Sequence, residues 1–574
     1  MKTKNAKNNF LVGLISEMSV EEKIGALLTL GFAGTIPKKH IFEYIEKYHC
    51  GGLRLSCDSR IFGSYVNPND KKTVVALEDS TGIKYGSPAP VPTVNEYKEI
   101  LDELQTRAKS RPHGIPLHFS FDQEGGTSAD FFFGGVNLFP KPMGLRATND
   151  VNIAYEVALA VSKQSRAVGF NWVHSPVLDV NTDPRNPEIY TRSFSDDAEV
   201  VAEYAIENCR GFKDGGLIAT GKHFPGRGDS DIDAHFKIPV IDADKETLLN
   251  RELLPYIKLI ERDLLPSIML AHSIFPAIDD EQIATVSKKI ITGLLREEMG
   301  FEGVIATDSM TMGAIATQYG VAEACALSLE AGADLILMKA ENNLVSETVN
   351  AIRRFIDSGK ISAEDLDSKV YRVLSLKYEY GLFSPQKEIN PQTVIDEKKY
   401  HDLAALVAKR SVLIERKDEK EFPLKLDSKV LVIEQKIKNY NTMQWHSGIL
   451  FENCDRISDN VFYLETAYTY DEDDKKRFLE AAEKADVVVV TNYYIRGKLC
   501  NKLFLEDFIS KYNKPVIVVT NTPYVELSIP KNSKNVIVTF ATSPENIKVT
   551  AKTLFGDVIP EGVWPLENYT KGRA

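Results

Sequence analysis

Residues 26–56, ALLTLGFAGTIPKKHIFEYIEKYHCGGLRLS, place a short apolar run at Ala26–Gly31 before a longer stretch of helical periodicity and then a second apolar run, Gly52–Ser56. That spacing encodes a strand, a crossover helix and a parallel strand. The alternation continues from about residue 20 to 380, with further runs at Leu117–Phe121, Asn171–Val173, Leu217–Thr220, Ser267–Ala271, Gly303–Ala306 and Asp334–Met338. Eight such runs predict an α/β chain built on a closed (β/α)₈ TIM-type barrel, with an open doubly wound sheet as the alternative.

The segment Phe383-Ser-Pro-Gln-Lys-Glu-Ile-Asn-Pro391 has two prolines and no apolar period, so it reads as a linker. After an intervening helix, Val430–Ile433, Val487–Thr491, Val516–Thr520 and Val536–Phe540 alternate with polar helical stretches, as in an α/β sandwich. The expected organisation is a barrel over 1–382, a linker and helix over 383–409, and a C-terminal α/β sandwich domain over 410–574. Between the second and third runs, Asp58 to Pro92 is rich in Asp, Gly, Pro and Lys, the composition of a lid or a surface excursion.

A chain of 574 residues exceeds one ordinary core, and its 43% hydrophobic and 26% charged content is that of a folded protein. The net charge of −12, without a Lys/Arg block, gives nucleic acid or an anionic membrane nothing to grip, so the expected ligand is a small molecule. Glu17, Glu21 and Glu22 break the first apolar run before a signal-peptide core forms, and no window reaches the roughly 20 apolar residues of a spanning helix. Six cysteines without CxxC spacing fit reduced thiols, and the predicted location is cytoplasmic. The oligomeric state is left open.

Polar residues gather just past the apolar runs: Asp122, Asp179, Lys222, His223, His272 and Asp308. In a barrel that edge carries the chemistry. The richest segment is Gly221-Lys-His-Phe-Pro-Gly-Arg-Gly-Asp-Ser-Asp-Ile-Asp-Ala-His235. Asp229, Asp231 and Asp233 have the spacing of the first half of an EF-hand loop, but Ala234 and Val240 stand where that loop needs glycine and glutamate, so no metal site is predicted. An Asp233–His235 pair is a better reading, because a carboxylate can fix the imidazole tautomer while the other ring nitrogen exchanges a proton with substrate near neutral pH. In Gly303-Val-Ile-Ala-Thr-Asp-Ser-Met-Thr-Met-Gly313, Asp308 directly follows a strand. An isolated Asp there is a helix N-cap. Beside Asp122, Lys222 and His223 it instead helps ring a polar pocket suited to a hydroxyl-rich ligand.

These segments, with Asp122-Gln-Glu-Gly-Gly126, Phe139-Pro-Lys-Pro-Met143, Ser175-Pro-Val-Leu-Asp-Val-Asn-Thr-Asp-Pro-Arg-Asn-Pro187, Arg192-Ser-Phe194 and Thr307-Asp-Ser-Met310, resemble glycoside hydrolase family 3, and more narrowly its β-N-acetylglucosaminidase branch of peptidoglycan-recycling hexosaminidases. Asn521-Thr-Pro-Tyr524 and Leu554-Phe-Gly-Asp-Val-Ile-Pro560 resemble the sandwich that follows many family barrels. The resemblance implies a retaining exo-glycosidase that removes terminal β-linked N-acetylglucosamine without a cofactor. By resemblance Asp308 is the nucleophile, Asp233–His235 the acid/base dyad, and Asp122 the acceptor for hydroxyls at the nonreducing end. Lys222, His223 and Arg192 are implied to hold other hydroxyls and keep Asp308 ionised.

One departure stands out. The branch continues Gln-Glu-Gly-Gly with Arg and another Arg soon after, whereas here Thr127-Ser-Ala-Asp130 follows, so the charge must come from elsewhere, with Arg227 and Arg146 as candidates. Three other functions compete: phosphorolysis, because a neutral histidine repels phosphate less than a carboxylate would; a β-glucosidase, which would leave the Asp-x-His loop without a role; and an inactive sugar-binding protein.

Overall fold

The structure is a computed structural model and describes residues 2–57, 64–67, 70–76, 92–234, 237–339, 342–385, 388–438, 445–496, 498 and 500–570. His235 and most of the 58–92 segment lie outside the described residues.

All eight predicted runs contribute to one parallel sheet: β1 (Leu28–Ala33), β2 (Gly52–Ser56), β3 (His118–Phe121), β4 (Trp172–Val173), β5 (Ile218–Phe224), β6 (Ser267–Leu270), β7 (Val304–Thr307) and β8 (Ile336–Met338). The strands pair in chain order from β1 to β7, and β8 pairs with β1, for example Leu28 with Ile336. The Thr307 N–H donates to Leu335 O at 2.9 Å, and Ala306 bridges Leu335, which joins β7 to β8 and rolls the sheet into a barrel. An open doubly wound sheet is thereby excluded. The barrel strands are buried along their whole length, as expected where helices cover the outside and side chains fill the inside.

Asn390 caps a short helix, Pro391–Ile395, with its side chain, and Pro391 occupies the first turn, where its missing N–H costs nothing. The helix Lys398–Ser411 follows, leading to a second, six-stranded sheet. Its strands are β9 (Leu413–Arg416), β10 (Val430–Gln435), β11 (Val461–Thr466), β12 (Val487–Thr491), β13 (Val516–Thr520) and β14 (Asn535–Val538), in the spatial order β9-β14-β13-β12-β10-β11. The runs at β10, β12 and β13 alternate between two faces. Val430, Val432, Val487 and Val489 pack on one side with Leu450 and Leu554, whereas Leu431, Ile433, Val488 and Val490 pack on the other with Phe478 and Phe508. That is a three-layer sandwich. Strands β9 and β11 were not predicted: both lie at sheet edges, and Phe462 and Tyr463 of β11 are exposed, so neither is a uniform apolar run.

The sandwich docks on the barrel through a separate apolar cluster in which Met143 and Tyr190 meet Tyr494, Tyr524 and Phe540. The Tyr494 hydroxyl donates to Pro187 O at 2.9 Å, and Asn181 Nδ2 donates to the Tyr524 hydroxyl at 2.9 Å. These contacts bring the carboxyl edge of the second sheet over the mouth of the barrel.

Candidate active site

A cavity of about 570 Å³ occupies the carboxyl end of the barrel, a volume in the ordinary range for a small-molecule pocket. Barrel residues Asp122, Arg192, Lys222, His223 and Asp308 line it, and Ile437, Tyr493, Ile495, Arg496, Asn521 and Thr542 close it from the sandwich side.

Asp122, one residue past β3, accepts from three cations. Arg54 Nη2 stands 2.5 Å from its Oδ2, Lys339 Nζ 3.0 Å from the same oxygen, and Lys222 Nζ 2.9 Å from Oδ1. Burial alone would raise the Asp122 carboxyl, but Arg54, Lys222 and Lys339 outweigh it and hold the group well below the usual carboxylate range. It is therefore a charged acceptor able to take hydrogen bonds from ligand hydroxyls. Arg54 also meets Asp130 at 2.7 Å. Because Arg54 sits inside β2 with no exposed surface, it supplies from below a charge that Thr127 does not. Arg146 is not the substitute, since it reaches Glu567 at 2.8 Å outside the cavity.

Glu124 accepts from Arg192 Nε at 2.7 Å and Nη2 at 3.0 Å, and pairs with Lys222 at 2.5 Å. Burial opposes its ionisation, yet Arg192 and Lys222 bring it to about 2. His223 points Nδ1 at Asp179 Oδ2, 2.7 Å away, and Nε2 toward Arg192 Nη2 at 3.4 Å. Burial, reinforced by Arg227, Arg192 and Lys222, keeps this imidazole neutral at ordinary pH. With Nδ1–H donating to Asp179, Nε2 is left as an acceptor for Arg192.

Asp308 follows β7 with its carboxylate at the cavity wall. Its Oδ1 accepts the Ser309 N–H at 2.7 Å, and its Oδ2 lies 3.6 Å from Arg227 Nη2. The next helix begins only at Gly313, behind Met312, so Asp308 is not its N-cap. Lys222 and Arg192 engage Asp122 and Glu124 instead of Asp308, and Arg227 brings the guanidinium charge to the Asp308 carboxylate.

Two of the polar residues past the strands stand behind the wall. Asp179 is fully buried under His223, while His272 bonds Thr285 Oγ1 at 2.7 Å and Ser309 O at 3.1 Å, bracing the turn after Asp308. In the 221–235 loop, Asp229 pairs with Arg251 at 2.6 Å, Asp231 with Arg185 at 3.6 Å and Asp233 with Arg496 at 3.7 Å. Three carboxylates turned to three different arginines do not converge on a point, and among the described residues no His/Cys/Asp/Glu group is arranged to hold a metal. Asp233 is buried; its predicted partner His235 lies outside the described residues.

Sequence reading passed over Arg54, Glu124, Glu188, Lys339 and Arg496. Arg54 carried a usable signal, a lone charge inside an apolar strand. The others acquire meaning only from what faces them.

The N-terminal domain of glycosyl hydrolase family 3 matches residues 19–376. β-Hexosaminidase A of Pseudoalteromonas piscicida is 29% identical over 353 residues, 58% of this chain and 58% of that protein. The chain thus spans little more than half of that relative's length. The β-hexosaminidase of Haemophilus influenzae is 30% identical over 262 residues, 45% of this chain and 72% of that protein. Among solved structures, a family 3 β-N-acetylglucosaminidase from Paenibacillus sp. str. FPU-7 superposes with a TM-score of 0.82 and 27% identity, covering 96% of this chain and 99% of that one.

Proposed function

The chain belongs to glycosyl hydrolase family 3, and we propose that it is a retaining exo-glycosidase that hydrolyses terminal β-linked N-acetylglucosamine. The observation that carries the reading is one cavity with the Asp122 cation cluster on its wall and the Asp308 carboxylate facing the same space. Asp122 would take hydroxyl hydrogens of the terminal sugar, and Lys222, Arg192 and His223 fix the carboxylates around that ring. The named activities of the similar proteins favour the acetamido sugar.

In the first displacement an Asp308 oxygen bonds to the anomeric carbon, the glycosidic C–O bond breaks, and the leaving oxygen takes a proton from His235. In the second, water attacks the same carbon, its proton passes to His235, and the Asp308–sugar bond opens; two inversions retain configuration. Asp233 would orient the imidazole. Asp308, Asp233 and His235 hold these roles by position in the sequence pattern, and the Arg227 guanidinium 3.6 Å from Asp308 suits a group that starts and ends anionic.

The six cysteines are thiols outside any disulfide, and no helix among the described residues is long and apolar enough to cross a membrane. The thiols fit a reducing compartment, and we place the protein in the cytoplasm acting on peptidoglycan-derived fragments.

Hydrolysis of 4-nitrophenyl β-N-acetylglucosaminide and β-glucoside by the wild type, Asp308→Asn and His235→Ala, with and without phosphate, tests the proposal. Preference for the acetamido sugar, with turnover falling by roughly 10⁴-fold or more in Asp308→Asn, is expected. Glycosyl phosphate as the main product would make the protein a phosphorylase, and full activity of Asp308→Asn would remove the nucleophile assignment.

A further inference from the structure

Glu188 lies at the point where three parts of the molecule meet. It is almost fully buried in the segment after β4, immediately before the short helix Tyr190–Arg192. Its Oε2 accepts the Ala234 N–H at 3.2 Å. Its Oε1 is shared by Arg227 Nη2 at 3.0 Å and Arg496 Nη1 at 3.2 Å. Arg227 continues to Asp308, and Arg496 Nε continues to Asp233 Oδ2 at 3.7 Å.

Arg496 comes from the other domain. It follows the carboxyl end of β12, beside β10, where the strand order of the second sheet reverses; in open α/β sheets that crevice is where ligands are handled. Here the crevice opens onto the barrel mouth. The Glu188 segment is pinned to the same edge by the Tyr494 hydroxyl on Pro187 O and by the Tyr190 and Tyr494 rings, whose centroids are 5.1 Å apart. The buried Glu188 carboxylate therefore joins Arg227 and Ala234, two points of one loop, to each other and, through Arg496, to the sandwich.

We propose that Glu188 and Arg496 are positioning residues that act across the domain junction, holding Asp233 and Ala234, the two residues that lead directly into the acid/base residue His235. This rests on the acid/base reading of the 233–235 segment given above. The sandwich is then part of the catalytic apparatus, because it supplies Arg496 to Glu188 and Asp233 of the barrel. A reacting group shifted by about 1 Å costs on the order of 10²-fold in rate, so loss of this tether is felt in the proton-transfer step.

The test is a leaving-group series. A glycoside whose aglycone is an alkyl alcohol or a second sugar needs the proton delivered, whereas a 2,4-dinitrophenyl glycoside leaves without it. For Arg496→Ala we expect kcat/KM to fall about 10²-fold on the methyl or disaccharide substrate and to stay near wild type on the dinitrophenyl substrate. The effect should lie in kcat, the pH profile should shift on its basic limb, and Arg496→Lys should recover part of the loss. Glu188→Gln should give the same selective pattern, with circular dichroism confirming its fold. An equal loss on both substrates, a change in KM alone, or no change would overturn the inference while leaving the hydrolase reading intact. Failure of the wild type to turn over either substrate would overturn both.

Discussion

Arg54 lies beneath Asp122, its guanidinium 2.5 Å from the carboxylate and wholly withdrawn from solvent. The same nitrogen meets Asp130 at 2.7 Å, so one cation separates two carboxylates that would otherwise face each other in the barrel mouth. Replacing it with an apolar side chain of similar length, Arg54→Met, should destabilise the fold by about 3–5 kcal/mol, the usual cost of orphaning buried charge. Urea unfolding of Arg54→Met and of Arg54→Met/Asp130→Asn measures this. The double variant should recover part of the loss, and a single variant as stable as the wild type would show that the two carboxylates do not depend on Arg54.

Arg192 holds Glu124 by two parallel hydrogen bonds and also faces His223, a geometry that a lysine ammonium cannot reproduce. Arg192→Lys should keep the fold and lower kcat/KM by about 10²-fold through misplacement of the sugar-facing groups. Steady-state kinetics on the preferred nitrophenyl glycoside decides it; a change below threefold would mean that charge alone suffices there.

Gly228 packs so closely on β4's outgoing segment that a Cβ would come within 1.7 Å of Val180 O. Backbone cannot yield cheaply, so Gly228→Ala should push the loop carrying Asp233 outward. We expect a loss of about 1–3 kcal/mol in stability together with a fall in kcat. Wild-type thermal stability in this variant would show that the loop tolerates displacement.

Burial pushes the Glu252 carboxyl up to about 7, against the pull of Arg251, whose Nε is 2.6 Å from it. Below pH ~4 the group is protonated in both states and contributes nothing. As pH rises past the unfolded value of about 4.3, the unfolded chain releases this proton while the folded one keeps it until about 7. Stability is therefore lost across that window. Glu252→Gln should gain on the wild type from pH 4.5 to 7, by up to about 3 kcal/mol, and stay ahead above it. A stability difference that does not vary with pH would contradict this.

The barrel was legible because each strand is a local event. An apolar run closed by turn residues declares itself within half a dozen positions, and parallel βα units leave few ways to assemble. The same locality placed Asp122 and Asp308 directly after their strands, at the mouth wherever the rest of the chain goes, whereas Lys222 and His223, expected just past a run ending at Thr220, lie in the last residues of β5, which continues to Phe224. The sandwich strands β10, β12, β13 and β14 were legible for the same reason. Edge strands β9 and β11 were not, because one-sided burial leaves a mixed pattern.

What the sequence could not state is which charge each carboxylate meets. Arg54 reaches Asp122 over a separation of 68 residues, and Arg496 reaches Glu188 over 308. Those pairings depend on barrel closure and on domain docking, which set distances of 2.5 to 4 Å that no periodicity records. A local pattern fixes the backbone path and the direction of a strand end. The electrostatic identity of a buried side chain is fixed only by the residues that exclude water around it, and folding alone brings those together.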